Sequence, residues 1–97
     1  MNAVLNIYKD CTSEEPTKTY TCKRLLLGVS KKVQALSDKM DGKSAEEQEA
    51  ITIDILKTIF PHFDNEDFEY IDPTEWLQFV EAIGKETSEI VNYAAKK

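Results

Sequence analysis

Cysteine, glycine, proline and histidine are all scarce in this chain: two, three, three and one among 97 residues. Cys11 and Cys22 are too few for a disulfide scaffold. With His62 far along the chain they also fall short of the four ligands of a structural zinc site. We read both as reduced, ordinary side chains, and no Cys/His spacing suits a catalytic nucleophile. The glycines Gly28, Gly42 and Gly84 are isolated, which leaves no loop to cradle a phosphate. No apolar run approaches the roughly 20 residues that cross a bilayer. The amino terminus lacks the basic flank and apolar stretch of a signal peptide. The expectation is a cytosolic chain with no membrane partner.

Positive charge is missing from a long stretch. Between Phe60 and Ala82 there is no Lys or Arg, against seven acids. The whole chain carries −6, yet residues 1–43 sum to +3 and residues 44–97 to −9. That asymmetry favours a charged partner or head-to-tail contact between copies, although a charge run is most often a solvated face. The basic row of the first helix (Lys23, Arg24, Lys31, Lys32, Lys39) invites nucleic acid, but the net negative charge argues against it.

What is present reads as a mainly α fold: a three-helix domain with a short N-terminal β-hairpin, one domain over residues 1–97. The hairpin covers residues 2–22, from Val4, Leu5, Ile7 and Tyr8 on one strand and Thr17 to Cys22 on the other. Helices are expected over about 23–41, 44–60 and 73–95. In the first, Leu25, Leu26, Val29, Val33, Leu36 and Met40 recur at helical spacing. Asp41-Gly42 closes it. Ser44-Ala-Glu-Glu47 is a capping box that opens the second. Ile51, Ile55, Leu56, Ile59, Phe60 and Phe63 form its stripe, which Ala50 and Ile53 widen enough to predict cover on more than one side. Pro61 ends it. A short irregular or helical turn spans Asp64 to Tyr70. Asp72-Pro73-Thr74-Glu75 then starts the last helix, carried by Trp76, Leu77, Val80, Ile83, Ile90, Val91 and Ala94. Gly84 interrupts this helix at a cost of about 1 kcal/mol relative to alanine.

Candidate sites are few. Asp64 and Glu75 span the twelve positions of an EF-hand loop, but Phe68 stands at a ligand position and Glu69 where the turn requires glycine, which excludes calcium. Ser44 lacks the flanking aspartate and leucine of a carrier-protein serine. No pair of carboxylates stands out as catalytic. We therefore expect no enzyme, no cofactor and no metal. The dense aromatic group Phe60, Phe63, Phe68, Tyr70, Trp76 and Phe79 reads first as core. Its functional reading is an acid-rimmed apolar groove for another chain's helix, which makes these six the candidate partner-binding residues.

The order of parts resembles the tail assembly chaperones of long-tailed bacteriophages of Gram-positive hosts. The likeness runs through the hairpin ending in Lys18-Thr-Tyr-Thr21, the basic amphipathic helix, the segment Ile51 to Phe63, the cap Asp72 to Glu75, and Trp76, Leu77, Phe79, Val80 and Ile83. Where the family often has a glycine before the last helix, this chain has Tyr70-Ile71. The resemblance implies a non-enzymatic chaperone in the host cytoplasm, absent from the mature virion. It implies binding to the long, apolar, helical tape measure protein, and help in recruiting tail tube protein. It also implies a longer form made by ribosomal frameshift, for which the terminal Ala94-Ala95-Lys96-Lys97 would supply adenine-rich codons. A competing reading from the acid run Asp64 to Glu81 is a small acidic regulator, an anti-repressor or nucleic-acid mimic that occupies a basic protein surface.

Overall fold

The computed structural model describes residues 2–95, with side chains described through residue 90. It is mainly α with a short N-terminal antiparallel hairpin. Strand β1 (Ala3–Ile7) pairs with β2 (Lys18–Cys22) in the register Ala3↔Cys22 to Ile7↔Lys18. Ala3, Leu5 and Ile7 alternate inward along β1, as a half-buried strand requires.

A two-stranded hairpin is marginal alone in water, and here it leans on the end of the chain. Ile7 bridges antiparallel to Ile71, and the Tyr8 N–H donates to the Tyr70 carbonyl at 3.0 Å. Glu75, on the first turn of the last helix, accepts from Asn6 Nδ2 at 3.2 Å and from the Tyr8 hydroxyl at 2.7 Å.

Helix α1 (Leu27–Asp38) is shorter than its sequence pattern. Residues 23–26 stay outside the helix, with Leu26 extended at φ −69° and ψ 149° and no side-chain cap at that position. The Cys22 Sγ instead donates to the Arg24 carbonyl. This late start corrects the expected stripe. Leu25 is buried from the extended segment, Leu26 faces out, and Ser30 takes a buried place on the helix. At the other end Gly42 adopts φ +78°, a left-handed conformation that suits glycine in the tight connection to the next helix.

Helix α2 (Ala45–Ile59) has the expected capping box: the Glu47 N–H donates to Ser44 Oγ at 3.2 Å, and Glu47 reaches back to Ser44. Phe60 caps its end, just before Pro61. A 3₁₀ helix (Asn65–Tyr70) follows, capped by Asp64. Helix α3 (Pro73–Ala95) begins at the proline, where Asp72 Oδ1 accepts from the Thr74 and Glu75 N–H groups. The expected side-chain roles of Val91 and Ala94, and the Lys96-Lys97 end, lie outside the described residues.

The core gathers Leu5, Cys22, Leu25, Val33, Leu56, Phe60, Phe63, Phe79 and Ile83. Helix α2 packs closely on α1, and α3 packs on β1 and α1. Among the described residues α2 and α3 scarcely approach each other. The wide apolar arc of α2 is therefore covered by α1 on one flank, and its other flank stays open. No described helix is long and apolar enough to cross a membrane.

Candidate functional site: an open apolar cleft

The gap between α2 and α3 is a cleft of about 590 Å³, floored by α1. This lies within the roughly 300–1,000 Å³ usual for ligand clefts. Helix α1 contributes Val33, Gln34, Ser37 and Met40, and α2 contributes Thr52, Ile55, Leu56 and Ile59. Helix α3 supplies Trp76, Phe79, Val80, Ile83, Gly84, Thr87 and Ser88. No ionisable side chain is among them. The apolar surface continues beyond the lip, because Leu77 is 63% exposed and Val80 44%. Both lie on α3 within a turn of the cleft wall, so Leu77, Val80 and Gly84 follow one another up the same side of the helix.

The cleft wall is held by a connected aromatic array. Phe68 meets Trp76 edge-on at 5.8 Å, Trp76 stacks on Phe79 at 5.9 Å, and Phe79 meets Phe60 at 5.8 Å. Tyr20 then meets both Phe60 and Phe63, at 5.3 and 5.2 Å. Each such pair adds about 0.5–1.5 kcal/mol beyond its buried area, so the hairpin, the end of α2 and the start of α3 are fixed to one another.

The six candidate aromatics therefore separate. Phe60, Phe63 and Phe79 are buried in the core, Phe68 and Trp76 are half-buried, and Tyr70 is exposed outside the array. Trp76 and Phe79 line the cleft, while the other four do not. Ile55, Ile59, Val80 and Gly84 were not among the candidates, although they form its walls. Ile55 and Ile59 stood in the ordinary stripe of α2 and Val80 in that of α3, so the one signal was Gly84, a glycine in mid-helix.

Several acids of the run that lacks basic residues are bound within the chain. Asp67 accepts from Lys18 Nζ at 2.8 Å and from the Tyr20 hydroxyl at 2.7 Å. Burial alone would raise the Asp67 carboxyl, but the Lys18 and Tyr20 hydrogen bonds outweigh it and hold the group below its ordinary range. Lys18 is shifted up in turn, first by its bond to Asp67 and then by Tyr20. Tyr8 is pushed up chiefly by its hydrogen bond to Glu75.

The Asp67 shift has a consequence for acid stability. A carboxylate held below its unfolded pKa stabilises the fold fully above the ordinary carboxylate range. That contribution fades as pH falls through the folded value. Asp67→Asn should therefore lower the urea midpoint at neutral pH, and the gap from wild type should close on acidification. A gap that is constant with pH would mean that Asp67 acts by packing rather than by charge.

Cys11 is exposed in the hairpin loop and Cys22 buried, and both are free. Burial raises the Cys22 thiol, which makes it a poor nucleophile. Among the described residues no three His, Cys, Asp or Glu side chains gather as a metal site would need. The geometry offers an uncharged apolar trough with room for a segment of another molecule. Compared with protein-family models, with curated proteins and with solved structures, the chain matches none of them.

Proposed function

We propose that the chain is a non-enzymatic phage tail assembly chaperone that holds an apolar helix of the tape measure protein in the cleft between α2 and α3. The observation that carries the proposal is the cleft itself: apolar, uncharged, open along one flank of α2 and continuous with exposed Leu77 and Val80. An apolar trough between helices suits an amphipathic helix, which buries one face in it and leaves the other wet. The net charge of −6 keeps such a complex dispersed. In this role the protein acts in the host cytoplasm, hands its partner on as tail tube protein assembles, and is absent from the mature virion.

The acidic-regulator reading has less to draw on. Of the seven carboxylates between Phe60 and Ala82, Asp64 and Asp72 cap helices, Asp67 binds Lys18 and Tyr20, and Glu75 binds the hairpin. Only Glu66, Glu69 and Glu81 remain to imitate phosphates, too few for an extended basic partner.

Co-expression with the tape measure protein encoded nearby tests the proposal. We expect that protein to move from the insoluble to the soluble fraction and to co-purify with this chain. If its soluble yield does not rise and it does not co-purify, the chaperone reading is wrong.

A further inference from the structure

Among the described residues, the exposed large apolar side chains include two pairs in surroundings of opposite charge. Leu77 and Val80 form the lip of the cleft. Leu26 and Leu27 form a corner where the chain enters α1, and they are 61% and 52% exposed. The core beneath that corner is already filled by Leu25, so the pair has no packing role within the chain. Lys23, Arg24 and Lys31 are exposed around it, and none makes an ion pair among the described residues. Of the acids on α1 and α3, Asp38 lies two turns beyond Lys31 and is bonded to Gln34 at 2.9 Å. Glu86 is close enough to act on the buried Cys22 thiol.

The lip of the cleft has the other sign, counted over every element that borders it. Glu66 and Glu69 are exposed on the 3₁₀ helix, which meets Trp76 through Phe68. Glu49 is exposed a turn from Thr52 on α2, and Glu81 is exposed next to Val80 on α3. Round α3 from Val80, Leu77 lies at about 60°, Glu81 at about 100° and Lys85 at about 140°. Lys85 therefore stands behind Glu81 as seen from the cleft, and the two do not pair. Lys57 is exposed on α2 and lines no part of the cleft. On α1, which floors the cleft, Lys31, Lys32 and Lys39 also take positions that line none of it. Lys39 and Lys43 instead share the other groove between α1 and α2 with Asp38, Asp41, Glu47 and Asp54.

We propose that the Leu26–Leu27 corner of one copy seats on the cleft lip of a second copy, so that the free protein covers its own binding site head to tail. This rests on the cleft being a docking site, as the proposed function has it, but not on the tape measure protein being its occupant. The leucines of the corner meet Leu77 and Val80, while Lys23, Arg24 and Lys31 come opposite Glu66, Glu69 and Glu81. Corner and lip are different patches of one chain. Each contact thus leaves a free lip on one copy and a free corner on the other.

Light scattering on the full chain tests the contact. The mean mass should rise with concentration at low salt, and about 1 M salt, which shortens screening to about 3 Å, should lower it. Leu27→Asp spoils the corner and Val80→Asp spoils the lip. Both change exposed side chains, and an acid suits the first turn of a helix, so both should keep the urea midpoint of the wild-type monomer. Each alone should weaken self-association by more than about tenfold, because the contact would bury an unpaired carboxylate. Mixed in equal amounts, the two variants should form a dimer and stop there, since the sound corner of one meets the sound lip of the other. A wild type that stays monomeric at every concentration and salt overturns the proposal. So does association that survives Leu27→Asp, which would seat another segment in the cleft, or a mixture that fails to pair while wild type associates. If the mixture pairs but the tape measure protein stays insoluble on co-expression, the contact stands and the chaperone reading falls. A monomer that solubilises that protein keeps the chaperone and removes the contact.

Discussion

Phe60→Ala should lower stability by about 3–5 kcal/mol, the range for emptying a buried phenylalanine site. Native domains hold only about 5–15 kcal/mol in all, and one of 97 residues has little core to spare. The residue caps α2, and its ring meets Tyr20 of the hairpin and Phe79 of α3. Its loss therefore opens a cavity where three parts of the fold converge. Urea unfolding should show a large fall in midpoint. A double-mutant cycle with Phe79→Ala should fall short of additivity, because each truncation already removes the shared ring contact. Full additivity would mean that the two rings act independently despite lying 5.8 Å apart.

The second large effect is on binding and should leave stability almost untouched. Val80→Asp places a carboxylate on a side chain that is already 44% exposed, so the free protein should stay within about 0.5 kcal/mol of wild type. Once a partner helix covers the cleft, that carboxylate is buried without a counter-charge. An uncompensated buried charge costs about 3–5 kcal/mol, which corresponds to a loss of at least about a hundredfold in affinity. Unchanged urea midpoints with lost co-purification of the tape measure protein is the expected pair of results. Co-purification that survives Val80→Asp would place the partner somewhere other than this cleft. Val80 serves better here than Trp76 or Phe68, whose rings contact each other and help to hold the wall.

The parts of the fold that were legible in the sequence are those written in local chemistry. Ser44 with Glu47, and Asp72 with Pro73, state where α2 and α3 begin, because a cap is settled within four residues. Gly42 states a turn for the same reason. The start of α1 was not legible. Leu25 and Leu26 fit the helical period, but with no capping side chain there the helix does not begin until Leu27.

The cleft was hidden for a different reason. Ile55 and Ile59 carry the same apolar pattern whether a third helix covers them or stands away, and only the setting of α3 decides which. That setting comes from Glu75 on the hairpin and from the Phe79–Phe60 contact, both of which join residues distant in the chain. The aromatic cluster was visible as a cluster. Its division into core rings and cleft rings was not, because neighbours such as Trp76 and Leu77 lie about 100° apart around a helix and meet different surroundings.

The bonds from Asn6 and Tyr8 to Glu75 close loops of 69 and 67 residues. During synthesis the hairpin strands emerge first, yet the residues that support β1 come nearly seventy positions later. At roughly 5–20 residues per second of translation, the strands wait several seconds for Ile71 and Glu75. In that interval α1 and α2 have each other and Tyr20 of β2 has Phe60 and Phe63, while β1 still lacks its bonds to Tyr70, Ile71 and Glu75. Completion of the fold is thus tied to the arrival of α3, the same helix that forms one wall of the cleft. A nascent chain that has not reached Glu75 has neither the bonds that tie β1 to the last helix nor a finished place for a partner.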